Sequence, residues 1–214
     1  MANVRKRVEA AILEKLRNGE LKPGDRISHP QLAQELGVSS NPVVHAFRRL
    51  EGIGVLEHTS SGSTRVAVRS MREIFAYFQI RETTEGLAAR FCARLCSDEE
   101  LAILNVRLEK LEESIRLNKV DEEAEENFHG GIVEFSHTPF LKAEHEKLRL
   151  VDLTIAAYLQ EMGDDPSAIP DDPGHRPIME AINRRDDVEA ERLMRAHLSA
   201  HTRKLDLKKL EETR

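Results

Sequence analysis

Two histidines stand at equal distances from a charged turn in the C-terminal third of the chain. His175 and His197 each lie eleven residues from Asp186, which belongs to the segment NRRDD. Because the apolar spacing on both sides of this segment is helical, the pattern predicts two antiparallel helices joined by a short turn. In such a pair the two imidazoles face each other, which restricts how this part of the chain can pack.

A second pair of polar residues, Glu125 and His129, occurs in the segment EENFHGGI with a spacing of four residues. On a helix this spacing places both side chains on one face. Imidazole and carboxylate groups on facing helices are the ligands with which helical bundles hold divalent metal ions. The sequence therefore predicts a metal site made by Glu125, His129, His175 and His197.

The ligand types narrow the choice of metal. Neutral imidazoles and one carboxylate suit Zn²⁺, Ni²⁺ or another first-row divalent ion, with one position left open for water or a carboxylate ligand. Each histidine also has a structural alternative. His129 follows Phe128 and could be a core residue, whereas His197 and His201 could lie on the surface of a charged helix. Three histidines at these spacings favour the metal site.

From about Met71 onward the apolar periodicity is helical throughout. It predicts six helices, over residues 71–95, 98–118, 121–136, 139–162, 174–184 and 187–208. A loop rich in Pro, Asp and Gly is predicted over 163–174. We therefore expect one all-α helical bundle over residues 71–214.

The first 70 residues have a different organisation. Apolar spacing predicts a helix over 4–18, a second in HPQLAQELGV and a third in NPVVHAFRRLEGIG, with Asn41 as a candidate N-cap. Two short β-rich runs around a Ser/Gly tip then predict a hairpin. Three helices and a hairpin are typical of a winged helix-turn-helix domain, which we expect over residues 1–70. The predicted fold class is therefore mainly α, with this domain preceding the bundle.

Charge is distributed unevenly between the two regions. Residues 1–70 hold 11 Lys and Arg against 7 Asp and Glu, a net of +4, and the remainder holds 21 against 31, a net of −10. The overall charge of −6 argues against a simple polyanion binder. The asymmetry is instead expected if only the N-terminal domain binds nucleic acid.

Cysteine content and hydropathy bear on the environment of the protein. Cys92 and Cys96 are the only cysteines and exclude a disulfide framework. Spaced four residues apart, they are expected in the core, with a zinc or redox role as the alternative. Because the sequence shows no signal peptide and no long apolar run, we expect a soluble cytoplasmic protein that does not bind membranes.

A helix-turn-helix places the N-terminal end of its second helix in the major groove of DNA. The polar residues at this end and on the next two turns are Ser39, Ser40, Asn41, His45, Arg48 and Arg49. Because asparagine can read adenine and arginine can read guanine through paired hydrogen bonds, these residues are candidates for base recognition. The alternative is that they only solvate an exposed helix face.

Several segments together resemble a known family. The segments LKPGDRI and LAQELGVSSNPVVHAFRRLEGIGVL and the glycine-tipped wing resemble the DNA-binding domain of the GntR family of bacterial transcription factors. The C-terminal region resembles the all-helical effector domain of its FadR subgroup, the FCD domain. The matching segments are RETTEGLAAR, ENFHGGIVEFSHTPFL and HRPIMEAINRRDDVEAERLMRAHL. The family usually has Asp where this chain has Glu125.

The resemblance also implies a difference in DNA recognition. The family pattern carries arginines, which commonly contact phosphates and base edges, where this chain has Pro30, Ser40 and Val44. Because each bidentate base contact is worth roughly 1–3 kcal/mol of discrimination, we expect an operator unlike the family's usual one, with Gly62 at the wing tip. The residues expected to read it are Asn41, His45, Arg48 and Arg49. A weaker alternative is that this domain has lost specific DNA binding.

Arg81 lies in an otherwise apolar helix that includes Phe78 and Leu87. A buried guanidinium needs an anionic partner, and Glu85, one turn later, is one alternative. The resemblance implies instead that Arg81 faces the cavity and helps to hold an effector carboxylate. A metal ion and an arginine would then bind a small organic acid at two points.

The resemblance thus implies a ligand-responsive transcriptional regulator, a repressor, that binds double-stranded operator DNA as a homodimer. Its helical domain would hold a divalent metal and a small carboxylate effector, and no catalytic function is expected. Two rival functions are a metal-dependent hydrolase, in which an open metal position activates water, and a constitutive DNA-binding protein with a purely structural metal.

Overall fold

The computed structural model describes residues 2–60, 62–117, 122–161 and 174–204. They form two compact units. The first unit contains the N-terminal 70 residues together with the helical residues from Lys147 to 161, and the second contains residues 71–146 and the C-terminal helices. The loop predicted over 163–174 lies, apart from Gly174, outside the described residues.

The first unit is a winged helix-turn-helix with a small sheet. Its elements are α1 (Ala2–Arg17), β1 (Arg26–Ile27), α2 (His29–Leu36), α3 (Ser40–Ile53), β2 (Leu56–His58) and β3 (Thr64–Val66). The strands are antiparallel in the order β1-β3-β2, so Arg65 pairs with Arg26 on one side and with Glu57 on the other. The helices and the β2–β3 hairpin confirm the prediction. Strand β1 was not predicted, because the Pro-Gly pair in LKPGDRI signals a turn.

Capping residues fix both ends of α2. Ser28 accepts a hydrogen bond from the backbone N–H of Gln31, and Gly37 ends α2 with a φ of 62°. Glycine adopts this left-handed conformation without strain. Helix α3 then begins at Ser40 with Ser39 at the N-cap position. The prediction that Asn41 caps this helix is therefore wrong, because Asn41 already lies inside its first turn.

The second unit is built from the predicted run of helices. They are α4 (Met71–Leu95), α5 (Asp98–Arg116), α6 (Glu122–Glu134), the first half of α7 (Pro139–Glu161), α8 (His175–Asn183) and α9 (Asp187–Lys204). A capping box of Ser97 and Glu100 starts α5, which is a strong helix-initiation signal. None of the helices in the described ranges combines the length and the apolar composition needed to span a membrane.

Small and branched apolar side chains form the core of the second unit. The larger buried side chains of this core include Leu104, Leu108, Phe128, Ile132, Ile178 and Met194. Ala88 and Ala89 on α4 and Ala190 on α9 are also fully buried, and their small size allows close helix packing. Cys92 and Cys96 are free thiols within this core, which agrees with the expectation that both are core residues.

The second half of α7 contributes to the core of the first unit. Leu150 and Leu153 pack against the cluster that contains Ile12 and Phe47, and residues from Lys147 onward therefore group with the first unit. The sequence pattern predicts instead that the whole of 71–214 belongs to the C-terminal domain. Helical periodicity identifies the apolar face of α7, but it does not reveal which core that face meets.

Candidate metal centre and DNA-binding face

Three histidines from three helices meet inside the second unit. His129 lies on α6, His175 is the first residue of α8, and His197 lies on α9. One potential ligand atom from each lies within 4.8 Å of the others, and all three side chains are buried. Within the described ranges, this is the one group of three or more His, Cys, Asp or Glu side chains whose spacing suits a metal ion.

The α8–α9 turn brings two of these histidines together. Arg185 in this turn has a φ of 59°, and the chain reverses there from α8 into α9. The ring centroids of His175 and His197 lie 4.4 Å apart. The structure thus places the two imidazoles against each other, as their equal spacing from Asp186 predicted.

Phe128 packs against two of the imidazole rings. Its own side chain is fully buried, and its ring meets the rings of His129 and His175 edge-on, with centroid distances of 5.7 and 5.3 Å. Edge-to-face packing of this kind is favourable and sets ring orientation. Core packing around Phe128 therefore helps to orient His129 and His175.

Glu125 lies at the open side of the histidine cluster. Its Oε2 atom is 3.2 Å from Nε2 of His175 and 3.6 Å from Nε2 of His129, and its side chain is 42% exposed. Burial raises the pKa of the Glu125 carboxyl, but the neighbouring imidazoles of His175, His129 and His197 lower it to about 2. The carboxylate is therefore ionised across the physiological pH range and is a suitable anionic ligand.

Glu85 on α4 orients His129 from the other side. Oε2 of Glu85 lies 2.8 Å from Nδ1 of His129, and its Oε1 accepts a hydrogen bond from Nε of Arg81 at 2.9 Å. A carboxylate that accepts a hydrogen bond from the Nδ1–H group fixes the ring orientation and leaves Nε2 unprotonated, so that Nε2 is the atom able to bind a metal. Sequence reasoning considered Glu85 only as the partner of Arg81 and missed its contact with His129, which lies on another helix.

The environment of Glu85 keeps this carboxylate charged. It is buried, with a side chain 1% exposed. Burial by itself raises the pKa of the Glu85 carboxyl, but Arg81, His129 and His145 lower it by more, so that it lies well below its usual value. Glu85 is thus a buried anion that contacts Arg81, His129 and His145.

The site residues fit a divalent metal ion on two observations. Nε2 of His175 is buried, and its 3.2 Å contact with Glu125 does not have the geometry of a hydrogen bond. A buried ring nitrogen without a hydrogen bond raises the free energy of the folded state, and coordination of a metal ion would satisfy this nitrogen. Three imidazoles and a nearby carboxylate also match the donor set that zinc and related first-row ions prefer.

His145, on the first half of α7, differs from its sequence-based interpretation. Because His145 falls outside the pattern formed by His129, His175 and His197, the sequence predicts that it lies on a solvated helix face. Its side chain is instead buried. Its Nδ1 lies 3.9 Å from Glu85 and its Nε2 lies 3.6 Å from Glu126. Apolar periodicity could not show this, because the burial depends on carboxylates of α4 and α6.

The predicted DNA-reading residues occupy the exposed side of the helix-turn-helix. Those that are exposed to solvent are Ser39, Ser40, Asn41, His45, Arg48 and Arg49. Gly62 lies at the tip of the β2–β3 hairpin with a φ of 82°, which favours glycine. Arg49 differs from the others, because its Nη1 donates a hydrogen bond to Glu9 on α1 at 2.8 Å.

Comparison with known sequences identifies both units. The model of the bacterial regulatory proteins of the gntR family matches residues 4–66, and the model of the FCD domain matches residues 76–200. The second match covers more than half of the chain and includes all three site histidines. The two matched ranges correspond to the winged helix-turn-helix and to the helical region that carries the histidine cluster.

Proteins similar to this chain include transcriptional regulators and a solved structure with the same fold. The uncharacterized HTH-type transcriptional regulator YdhC of Bacillus subtilis is 30% identical over 85% of this chain and 82% of its own length. A probable D-xylose utilization operon transcriptional repressor of Paenarthrobacter nicotinovorans is 28% identical over 92% of this chain and 87% of its own. The structure of Escherichia coli McbR/YncC shares the fold, with a TM-score of 0.76 and 22% identity over 97% of this chain and 99% of that one. The chain is therefore a transcriptional regulator of the GntR family with a C-terminal FCD domain.

Proposed function

We propose that this regulator is a homodimeric repressor whose operator binding responds to a small carboxylate held at a divalent metal centre. The observation that carries the proposal is the buried cluster of His129, His175 and His197, all within ligand distance of one another. A purely structural core has little use for three adjacent imidazoles, since buried polar groups cost free energy unless they are satisfied. A sensor that binds a polar ligand has a direct use for them.

The metal would be held by the three histidines and by Glu125. The exposed side of Glu125 leaves this carboxylate able to ligate directly or to be displaced by an incoming anion. When bound, the metal supplies a positive charge that attracts a ligand carboxylate. Glu85 would fix the His129 ring and its tautomer, as carboxylates behind metal-binding histidines generally do.

Arg81 is the proposed second contact for the effector. Its side chain is 21% exposed and adjoins the histidine cluster through Glu85, which contacts both Arg81 and His129. Guanidinium groups bind carboxylates strongly because they donate parallel hydrogen bonds. The expected ligand class is therefore a small organic acid that reaches from the metal to Arg81.

Regulation requires that the effector distinguish two states of the protein. A ligand shifts DNA binding only if it has different affinities for the DNA-competent and DNA-incompetent arrangements. In a homodimer these arrangements would differ in the spacing of two DNA-binding domains, and two-fold symmetry calls for a palindromic operator. The relative described as a probable operon repressor supports repression as the mode of action.

The experiment that tests the proposal measures operator affinity against a panel of small mono- and dicarboxylic acids, with metal-loaded protein. At least one acid is expected to change the affinity by about 5- to 150-fold. Arg81→Gln is expected to retain metal and to lose this response, because it removes one of the two anchors. The matched control is Arg72→Gln, which alters an exposed arginine on the same helix.

Two outcomes would contradict the proposal. If no acid changes operator affinity while metal stays bound, the protein is a constitutive DNA-binding protein with a structural metal. If Arg81→Gln responds to the acid as the wild type does, Arg81 is not an effector contact and its role is limited to pairing with Glu85.

We also predict an operator sequence that differs from the family's usual one. Pro30, Ser40 and Val44 lack the guanidinium groups that the resemblance associates with base and phosphate contacts, so base reading would rest on residues such as Asn41 and Arg48. Selection from a random pool of duplex DNA with the purified protein is expected to enrich a palindrome of different sequence. Recovery of the usual family consensus would show that the substituted positions do not determine recognition.

A further inference from the structure

A buried carboxylate joins α1 to α3 in the first unit. The side chain of Glu9 is 8% exposed and lies between two arginines. Nη1 of Arg49 donates a hydrogen bond to its Oε2 at 2.8 Å, and Nε of Arg5 lies 3.3 Å from its Oε1. Since Arg5 and Glu9 belong to α1 and Arg49 to α3, the group of three charges crosses the interface between these helices.

The other contacts between α1 and α3 have little directional preference. Apolar residues such as Ile12, Phe47 and Leu50 share the core there, and hydrophobic burial stabilises an interface without fixing its register. A charge-assisted hydrogen bond is short and directional. The pairing of Glu9 with Arg49 therefore defines the rotation of α3 and its position along the axis of α1 more sharply than the apolar contacts do.

We infer that Arg49 is a positioning residue for DNA recognition, which holds α3 on α1 through Glu9 and does not itself contact DNA. The hydrogen bond to Glu9 holds the Arg49 guanidinium against α1, and the carboxylate offsets part of the positive charge that would attract a phosphate. Arg48 does not project in the direction of Arg49, because successive helical residues are about 100° apart around the helix axis. The base-reading set predicted from the sequence then loses Arg49 and keeps Asn41, His45 and Arg48.

The role of Glu9 and Arg49 can be separated from a direct contact by the salt dependence of DNA binding. Each neutralised phosphate adds about 0.9 to the negative slope of log Kobs against log salt concentration. A residue that contacts a phosphate reduces this slope when its charge is removed, whereas a positioning residue lowers affinity at every salt concentration. This inference concerns the DNA-binding unit and does not depend on the proposed metal or effector.

The experiment uses the full-length protein and an operator duplex that the wild-type protein selects from random DNA. Arg49→Gln and Glu9→Gln are each expected to weaken binding by a similar factor, between roughly twofold and a hundredfold, with the wild-type salt slope. The double variant is expected to be no weaker than either single variant, because both changes break one contact. Arg48→Gln is the reference for an exposed arginine and is expected to reduce the slope.

Glu14→Gln controls for the loss of one negative charge, because Glu14 is an exposed carboxylate on α1. The inference is overturned if Arg49→Gln reduces the salt slope by about 0.9, or if Glu9→Gln leaves the affinity unchanged or raises it. Circular dichroism checks that each variant is folded. If Glu9→Gln fails to fold, Glu9→Asp replaces it, because aspartate is one methylene shorter and its carboxylate lies farther from Arg49. The same two outcomes then decide the inference.

Discussion

Replacement of His175 and His197 together by alanine is expected to lower the metal content of the purified protein from about one ion per chain to none. The two imidazoles come from different helices and lie 4.4 Å apart between ring centroids, so their removal leaves only His129 and Glu125. One histidine and one carboxylate are too few to hold a first-row divalent ion tightly. Elemental analysis of protein purified without chelators measures this directly.

The same variant is expected to remain folded and to lose the stabilising effect of metal. A ligand that binds only the native state stabilises it by about 4 kcal/mol when its free concentration is 1,000 times Kd. Added metal should therefore raise the Tm of the wild type and leave the Tm of the double variant unchanged. His137→Ala removes an exposed histidine of the same unit and should keep both metal and the Tm shift. A double variant that still holds stoichiometric metal would contradict the site assignment.

The helices could be predicted from the sequence because their signals are local. Apolar periodicity and capping residues such as Ser97 with Glu100 act within one or two turns, and they place most boundaries within a few residues. Strand β1 could not be predicted in this way. It is two residues long and exists because Arg26 and Ile27 pair with β3, almost forty residues later.

The clustering of the three histidines could also be predicted, for a geometric reason. Equal spacing of His175 and His197 from a turn specifies their contact once the turn is identified, and the spacing of Glu125 and His129 specifies one helix face. Glu85 could not be linked to this cluster, because its contact with His129 depends on how α4 packs against α6. The sequence showed only the local contact of Glu85 with Arg81.

The DNA-binding unit also contains a long-range contact that local sequence patterns do not reveal. Arg48 and Arg49 are adjacent in the sequence and look equivalent as base-reading residues. Both are exposed, but the structure distinguishes them, because Arg49 reaches Glu9, forty residues earlier. A carboxylate on α1 gives no local signal that it will pair with a residue of α3. Long-range pairing of charges was therefore beyond sequence reasoning, although the fold that produces it was not.

Glu85→Gln is expected to weaken metal binding by about 10- to 100-fold, the usual effect of altering a carboxylate behind a metal-binding histidine. The carboxylate lies 2.8 Å from Nδ1 of His129, and a neutral amide orients the ring less strongly and lowers the basicity of Nε2. Competition against a chelating indicator dye measures the change. Because the carboxylate also pairs with Arg81, the variant should lose stability as well.

The loss of stability should appear without metal. Removing one partner from a buried ion pair costs about 3–5 kcal/mol when the remaining charge is left uncompensated, and the remaining Arg81 side chain is only 21% exposed. Urea unfolding in the presence of a chelator measures this separately from metal affinity. Glu82→Gln, three residues earlier on α4, is the matched control, because its carboxylate is less buried, and should change neither quantity. If Glu85→Gln binds metal as tightly as the wild type, Glu85 serves only to pair with Arg81, and the His129 ring is oriented by the core packing around Phe128.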